Sequence, residues 1–359
     1  MRYIDEYWDK SAVTELVKAI HRESKNPVRL MEVCGGHTMA IRKSGIPALL
    51  PPTIRLLSGP GCPVCVTGKS FIDKAIKLSE KDDIILTTYG DLLRVPGSDS
   101  TLEKERAKSA DVRMIYSPLD ALEIAKHNPL KKVVFLGIGF ETTSPASAVT
   151  ILQAKNEKIN NFYLLSAHKI MPPAMAALIV EGVKINGYIC PGHVSTITGS
   201  GIYNDIVEKL RLGCVITGFE PVDLLQGILM LVIQYETGEP RNEIQYKRAV
   251  KPQGNLKALK ILNEVFELKD DWWRGLGVVP NSGLKLKKEF EEFDAEKYFD
   301  LNLPEPEEAI GCICGEILKG KKLPTDCKLF GEICTPDNPV GACMVSAEGS
   351  CQAYYKYRL

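Results

Sequence analysis

Six cysteines fall between positions 312 and 351: Cys312, Cys314, Cys327, Cys334, Cys343 and Cys351. Thiolates are soft ligands that select zinc, Cu(I) or iron–sulfur clusters. A structural zinc site is usually built from two close C-x2-4-C pairs. Such pairs are missing here: Cys312-x-Cys314 is too tight, and Cys327-x6-Cys334 and Cys334-x16-Cys351 are too wide. A [4Fe–4S] cluster needs four thiolates and tolerates irregular spacing. Six candidates for four positions leave two over. One selection, Cys312, Cys327, Cys334 and Cys351, leaves Cys314 and Cys343 as a redox pair beside the cluster. The cluster is the first reading, zinc the second, and plain buried thiols the third.

Two shorter motifs carry chemistry of their own. Cys62-Pro63-Val64-Cys65 follows a predicted strand and precedes a predicted helix. A helix N-terminus lowers the pKa of a thiol placed there, and C-x-x-C pairs cycle between dithiol and disulfide at roughly −120 to −270 mV. Pro63 stiffens the loop, and Gly59 and Gly61 permit close backbone approach. Half a zinc site or two buried thiols are the bland alternatives. Cys34-Gly35-Gly36-His37-Thr38 ends the first predicted strand. Its thiol and imidazole are spaced to reach one metal or to act as a nucleophilic dyad, against the plainer reading of a Gly-rich turn with a buried cysteine. His168 and His193 also lie in loops at strand ends and are expected to line the same cleft as Glu141, where a loop-organising hydrogen bond competes with direct chemistry. Gly137-Ile138-Gly139 lacks the third glycine of a dinucleotide fingerprint, which makes NAD binding a weak reading.

Positioning these residues falls to short β-rich runs that alternate with helical stretches from Arg29 to Tyr235. The runs are Arg29–Val33, Ile54–Ser58, Asp83–Thr87, Val112–Tyr116, Lys132–Ile138, Asn161–Ser166, Gly187–Cys190 and Cys214–Thr217. This alternation predicts βαβ units and parallel sheets, whose functional loops gather at the carboxyl ends of strands. The loop from Pro60 is echoed from Pro191, and the stretch from Tyr89 is echoed from Phe219, which suggests two related lobes. The expected division is an N-terminal helix packing on the body (1–28), a first α/β lobe (29–118), a second α/β lobe (119–236) and a C-terminal cluster-binding region (237–359). In that last region a helix is expected at Leu256–Leu268 and a charged amphipathic stretch at Leu284–Leu301. Cys190 and Cys214 sit at strand positions and are read as packing.

The 359 residues carry 45 basic and 45 acidic side chains, 11 cysteines and five histidines. Net neutrality without a basic cluster argues against a nucleic-acid partner. No apolar run approaches the roughly 18 residues of a membrane span, and the N-terminus shows no signal-peptide core. A cytosolic location follows, where thiols stay reduced and so many cysteines point to metal or redox work.

Taken together, the motifs resemble the HypD family of [NiFe] hydrogenase maturation proteins. The likeness rests on EVCGGHT at 32–38, GPGCPVC at 59–65, GFETTSP at 139–145, CPGHVS at 190–195 and PVGACMVS at 339–346. It implies a fold of two similar parallel-sheet α/β lobes plus a smaller, mainly helical or irregular region with an Fe–S cluster. It also implies that Cys312, Cys327, Cys334 and Cys351 ligate a [4Fe–4S] cluster. The implied function is a redox-active assembly scaffold rather than a conventional turnover enzyme. With a small HypC-type partner it would hold a transient iron while cyanide and carbonyl ligands are added. The cyanide would come from a HypE-type donor, whose C-terminal thiocarboxamide had been dehydrated to a thiocyanate. Cys34 would supply a thiolate to the iron, and His37 would act as a ligand or proton donor. Cys62 and Cys65 would store two electrons as a dithiol, and a cleft between the lobes would bring Cys34 against them. Two competing functions are a stand-alone, cluster-fed thiol–disulfide oxidoreductase and a zinc-stabilised structural protein.

Overall fold

The computed structural model describes residues 5–357, so the outermost ends of the expected first and last regions lie outside the described residues. Among the described residues eleven strands form three sheets. The first sheet contains β1 (Val28–Glu32), β2 (Ile54–Ser58), β7 (Gly187–Pro191), β8 (Gly213–Thr217) and β9 (Asn242–Ile244), in the order β2-β1-β7-β8-β9. The second contains β3 (Ile84–Thr88), β4 (Val112–Met114), β5 (Lys132–Gly139) and β6 (Phe162–His168), in the order β4-β3-β5-β6. All pairs in both are parallel. An antiparallel hairpin, β10 (Phe266–Trp273) and β11 (Gly277–Leu286), completes the set.

The parallel α/β class expected from the sequence is present, and each of the eight predicted runs overlaps a strand. The segmentation differs. β1 and β2 pair with β7, β8 and β9, so the second sheet is inserted within the first. Cuts at 118 and 236 therefore divide both sheets, and the cut at 236 strands β9 on the wrong side. Strand pairing is non-local, and a boundary drawn where composition changes cannot see it. The proposed loop correspondences also fail to follow topology. The loops after Pro60 and Pro191 belong to one sheet, and their likeness reflects the same demand for close backbone approach at strand ends.

Burial follows the period of two. Met31 and Val33 of the first sheet and Leu86, Val134 and Leu136 of the second share one core with Trp273, Cys314, Cys343 and Cys351. Alternate residues face outward. Val28, Leu30, Ile189 and Val215 pack beneath Ile20 of the helix Lys10–Glu23 and Leu224 and Ile228 of the helix Pro221–Thr237. Ile85, Val133 and Phe135 pack beneath Ala121 and Ile151 together with Leu284 of the hairpin. Burial on both faces explains why β3, β7 and β8 read as nearly unbroken apolar runs. Cys190 and Cys214 are fully buried in the shared core.

The expected helix Leu256–Leu268 ends at Val265, and the chain turns there into β10. The charged stretch from Leu284 begins as the end of β11. Ser166 donates to the Leu284 carbonyl at 2.9 Å and Ile170 donates to the Ser282 carbonyl at 2.9 Å, so the hairpin lies along the end of β6. Beyond it, Cys312 to Cys351 folds as short helical turns with one isolated bridge between Phe330 and Cys334.

Candidate functional site

In the first sheet the chain runs from β1 to β2 on one side and returns with β7 on the other. A topological switch point therefore lies between β1 and β7, where open α/β sheets bind ligands beyond the strand ends. Cys34 follows β1 and His193 follows β7. His193 Nδ1 lies 4.0 Å from Cys34 Sγ.

Cys34 is only 4% exposed. Burial pushes its thiol up to about 12, and the nearby Glu348 carboxylate adds to the effect. The free site therefore presents a neutral thiol, and a cation that binds there must release its proton. Gly35 and Gly36 open the helix Gly35–Lys43 immediately after Cys34. A Cβ at Gly35 would fall 2.3 Å from the Glu348 carbonyl oxygen, so the close packing of the C-terminal segment requires glycine.

His37 sits one turn into that helix and is fully buried. Its Nε2 donates to the Gly218 carbonyl at 3.0 Å, with the Thr217 hydroxyl at 3.1 Å. A carbonyl can only accept, so Nε2 carries the proton and Nδ1 keeps its lone pair. Nδ1 is buried without a hydrogen-bond partner among the described residues. Burial holds the ring neutral, down to about 3. Phe219 lies 4.5 Å from the His37 ring and 5.3 Å from the His193 ring.

The C-x-x-C turn lies on the next strand. Cys62 caps the one-turn helix Pro63–Val66, and its sulfur accepts from the Cys65 amide at 3.2 Å. The two residues are joined as a disulfide. Gly35 donates to the Gly61 carbonyl at 3.1 Å, which ties the Cys34 loop to this turn. The expected proximity of Cys34 to Cys62 and Cys65 thus arises from adjacent strands of one sheet, not from a cleft between lobes.

The C-terminal cysteines close on the same region. Cys312 and Cys314 have sulfurs 3.3 Å apart, and Cys314 also hydrogen-bonds with Cys343 and Cys351. Val340 donates its amide to the Cys334 sulfur at 3.3 Å, and the Cys327 sulfur lies 3.8 Å from the Gly311 carbonyl. The Cys314 thiol beside Cys312 draws the latter down to about 7, and the positive charge of Arg274 adds to that effect. The helix Ser350–Lys356, which carries Cys351, packs on the Cys34 helix, with the Arg42 guanidinium 3.5 Å from the Tyr354 ring centre. Among the described residues no three Cys, His, Asp or Glu donors close round a single point, so the geometry does not define a one-ion site. The donor set fits an iron–sulfur cluster: six free thiols lie in a short, largely buried segment, and an amide is already directed at one sulfur.

Glu141 and His168 lie elsewhere. Both sit at the carboxyl end of the second sheet, so they do not share the cleft of His193. Glu141 accepts from the Met171 amide at 2.8 Å, and burial raises its carboxyl to about 7. His168 Nε2 is 2.8 Å from the Ser147 hydroxyl, and burial keeps the ring neutral. Sequence reasoning passed over Phe219, Glu348 and Arg274 as site residues. Phe219 had a signal, since it follows a predicted strand in a Gly-containing loop. Glu348 and Arg274 reach the site only through tertiary packing.

The fold and site define a class: a two-sheet parallel α/β protein whose strand-end cysteines meet a cysteine-rich C-terminal segment at one switch point. The HypD family model, described as the hydrogenase formation hypA family, matches residues 11–358. A hydrogenase maturation factor HypD2 of Bradyrhizobium diazoefficiens is 48% identical, covering 99% of this chain and 97% of the relative. A putative hydrogenase expression/formation protein of Methanocaldococcus jannaschii is 47% identical, with 98% of each covered. The HypD hydrogenase maturation factor of Escherichia coli is 42% identical over 100% of this chain and 98% of its own. The chain belongs to the HypD family of hydrogenase maturation factors.

Proposed function

We propose that this chain is a cytosolic scaffold on which, with a small HypC-type partner, an iron is held while cyanide and carbonyl ligands are added, the cyanide arriving from a HypE-type donor. The observation that carries this reading is the junction of three thiol sets: the Cys34 loop, the Cys62–Cys65 turn and the C-terminal cysteines pack at one end of the first sheet.

Cys34 would give up its proton and bind the iron as a soft thiolate, the ligand type suited to a low-spin iron with cyanide and carbonyl. His37 would present Nδ1, its tautomer fixed by the Gly218 carbonyl, as a second ligand or a hydrogen-bond acceptor. His193 stands beside the sulfur to receive its proton. Cys312, Cys327, Cys334 and Cys351 would hold a [4Fe–4S] cluster, which when bound supplies single electrons. Cys62 and Cys65 would hold two electrons as a dithiol, and Cys314 and Cys343 would form a second redox pair beside the cluster. A stand-alone oxidoreductase acting on other proteins' disulfides fits less well. Cys62 is 3% exposed and Cys65 is fully buried, which bars the disulfide of a second folded protein from meeting either sulfur directly, as exchange between proteins requires. Infrared spectra of the anaerobic complex with the partner test the proposal. Cyanide and carbonyl stretches are expected, and their absence from a correctly co-expressed complex counts against it.

A further inference from the structure

The Cys62–Cys65 turn is held from below by one buried cation. Arg274 lies in the tight turn between β10 and β11 and is 3% exposed. Its Nε donates to the Cys65 carbonyl at 2.8 Å and a second guanidinium nitrogen donates to the Thr67 carbonyl at 2.9 Å. Its backbone amide donates to the Val66 carbonyl at 2.8 Å. These three carbonyls close the C-terminal side of the one-turn helix, where a positive charge is favourable. The remaining face of the guanidinium is ion-paired with Glu308, which is 33% exposed on the irregular segment leading to Cys312. The neighbouring Gly275, at φ +87°, packs so closely that a Cβ would lie 2.6 Å from the Gly315 carbonyl oxygen, one residue past Cys314. Arg274 and Gly275 thus touch the C-x-x-C turn on one side and the cysteine-rich segment on the other.

We propose that Arg274 is a positioning residue that sets the redox balance of the Cys62–Cys65 couple, with Glu308 as the counter-charge that tempers it. The inference rests on the redox role proposed above for that pair. Reduction breaks the Cys62–Cys65 bond and adds two electrons and two protons. Any thiolate character that develops is stabilised by a nearby cation in a poorly solvated interior. Arg274 therefore favours the reduced form, and Glu308 offsets part of that effect. A residue that only braced the turn would not give opposite effects for the two members of the ion pair.

The test is equilibration of the full chain, purified anaerobically with its metal content intact, against mixtures of reduced and oxidised dithiothreitol. In that exchange two electrons and two protons pass from the reagent to the protein disulfide, and the reagent closes its own ring. Equilibrium is approached from both the reduced and the oxidised side, and the Cys62/Cys65 thiols are counted after acid quench by alkylation of the unfolded chain and peptide mass. Arg274→Gln is expected to lower the equilibrium constant for reduction about tenfold, which is about 30 mV more negative. Glu308→Gln is expected to raise it by a similar factor. Shifts of the same sign, or no shift in Glu308→Gln, overturn the proposal. If Arg274→Gln does not fold, Glu308→Gln, at a partly exposed position, decides alone. Absence of any reversible Cys62/Cys65 couple in the unsubstituted chain would instead remove the redox reading on which the inference stands.

Discussion

The amide of Gly35 donates to the carbonyl of Gly61 at 3.1 Å, and a Cβ on Gly61 would lie 2.1 Å from the amide nitrogen of Cys34. The loops after β1 and β2 are thus in backbone contact, with no room for a side chain between them. This contact fixes the Cys34 thiol relative to the C-x-x-C turn.

Gly61→Ala should separate the two loops. The obstacle is backbone rather than a flexible side-chain tip, so the chain itself must move. Overpacking of this kind costs about 1–3 kcal/mol. Thermal or urea unfolding should show that loss. A variant with unchanged stability would contradict the claimed contact.

The C-terminal thiols predict a definite composition. Anaerobically purified protein should contain iron and acid-labile sulfide in equal amounts, four of each per chain as the [4Fe–4S] formula requires. Cys334→Ser should lose most of both, since it removes one of the four thiolates proposed to hold the cluster. Cys343→Ser should keep them. Zinc without sulfide would contradict the cluster assignment.

Much of this was readable from residue order, and the remainder was not for identifiable reasons. The eight predicted runs were legible because strands buried on both faces are apolar throughout. The hairpin was misread because Lys269, Asp270 and Asp271 place charges in β10, and a solvated strand with a bulge loses its period of two. Cys34, His37, Cys62 and Cys65 announced themselves through glycine-rich loops at strand ends. Their mutual placement did not, because it depends on β1 pairing with both β2 and β7. Arg274 had no local signal at all; its role appears only once the hairpin turn is seen beneath the carbonyls of Cys65 and Thr67.

Stability should fall as pH rises through the window set by Glu141. Burial raises its carboxyl from the ordinary 4.5 to about 7. Between those values the folded chain keeps a proton that the unfolded chain has released. The stabilisation is complete below about 4.5 and is lost as pH rises through about 7. The upper bound is on the order of 3 kcal/mol. Glu141→Gln is neutral at every pH and should reduce the drop in melting temperature between pH 5 and pH 8. Glu32, raised to about 8 by burial, would leave part of the slope in place. Equal slopes in the variant and the unsubstituted chain would count against a protonated Glu141.

The central claim is that Cys34 holds the iron that receives cyanide and carbonyl. Infrared spectroscopy of the anaerobic complex with a HypC-type partner, compared between the unsubstituted chain and Cys34→Ala, tests it most directly. The account predicts cyanide and carbonyl stretching bands in the first. It predicts their loss in the second, with the iron and sulfide of the C-terminal cluster retained. Bands of full intensity in Cys34→Ala would show that the iron is held elsewhere.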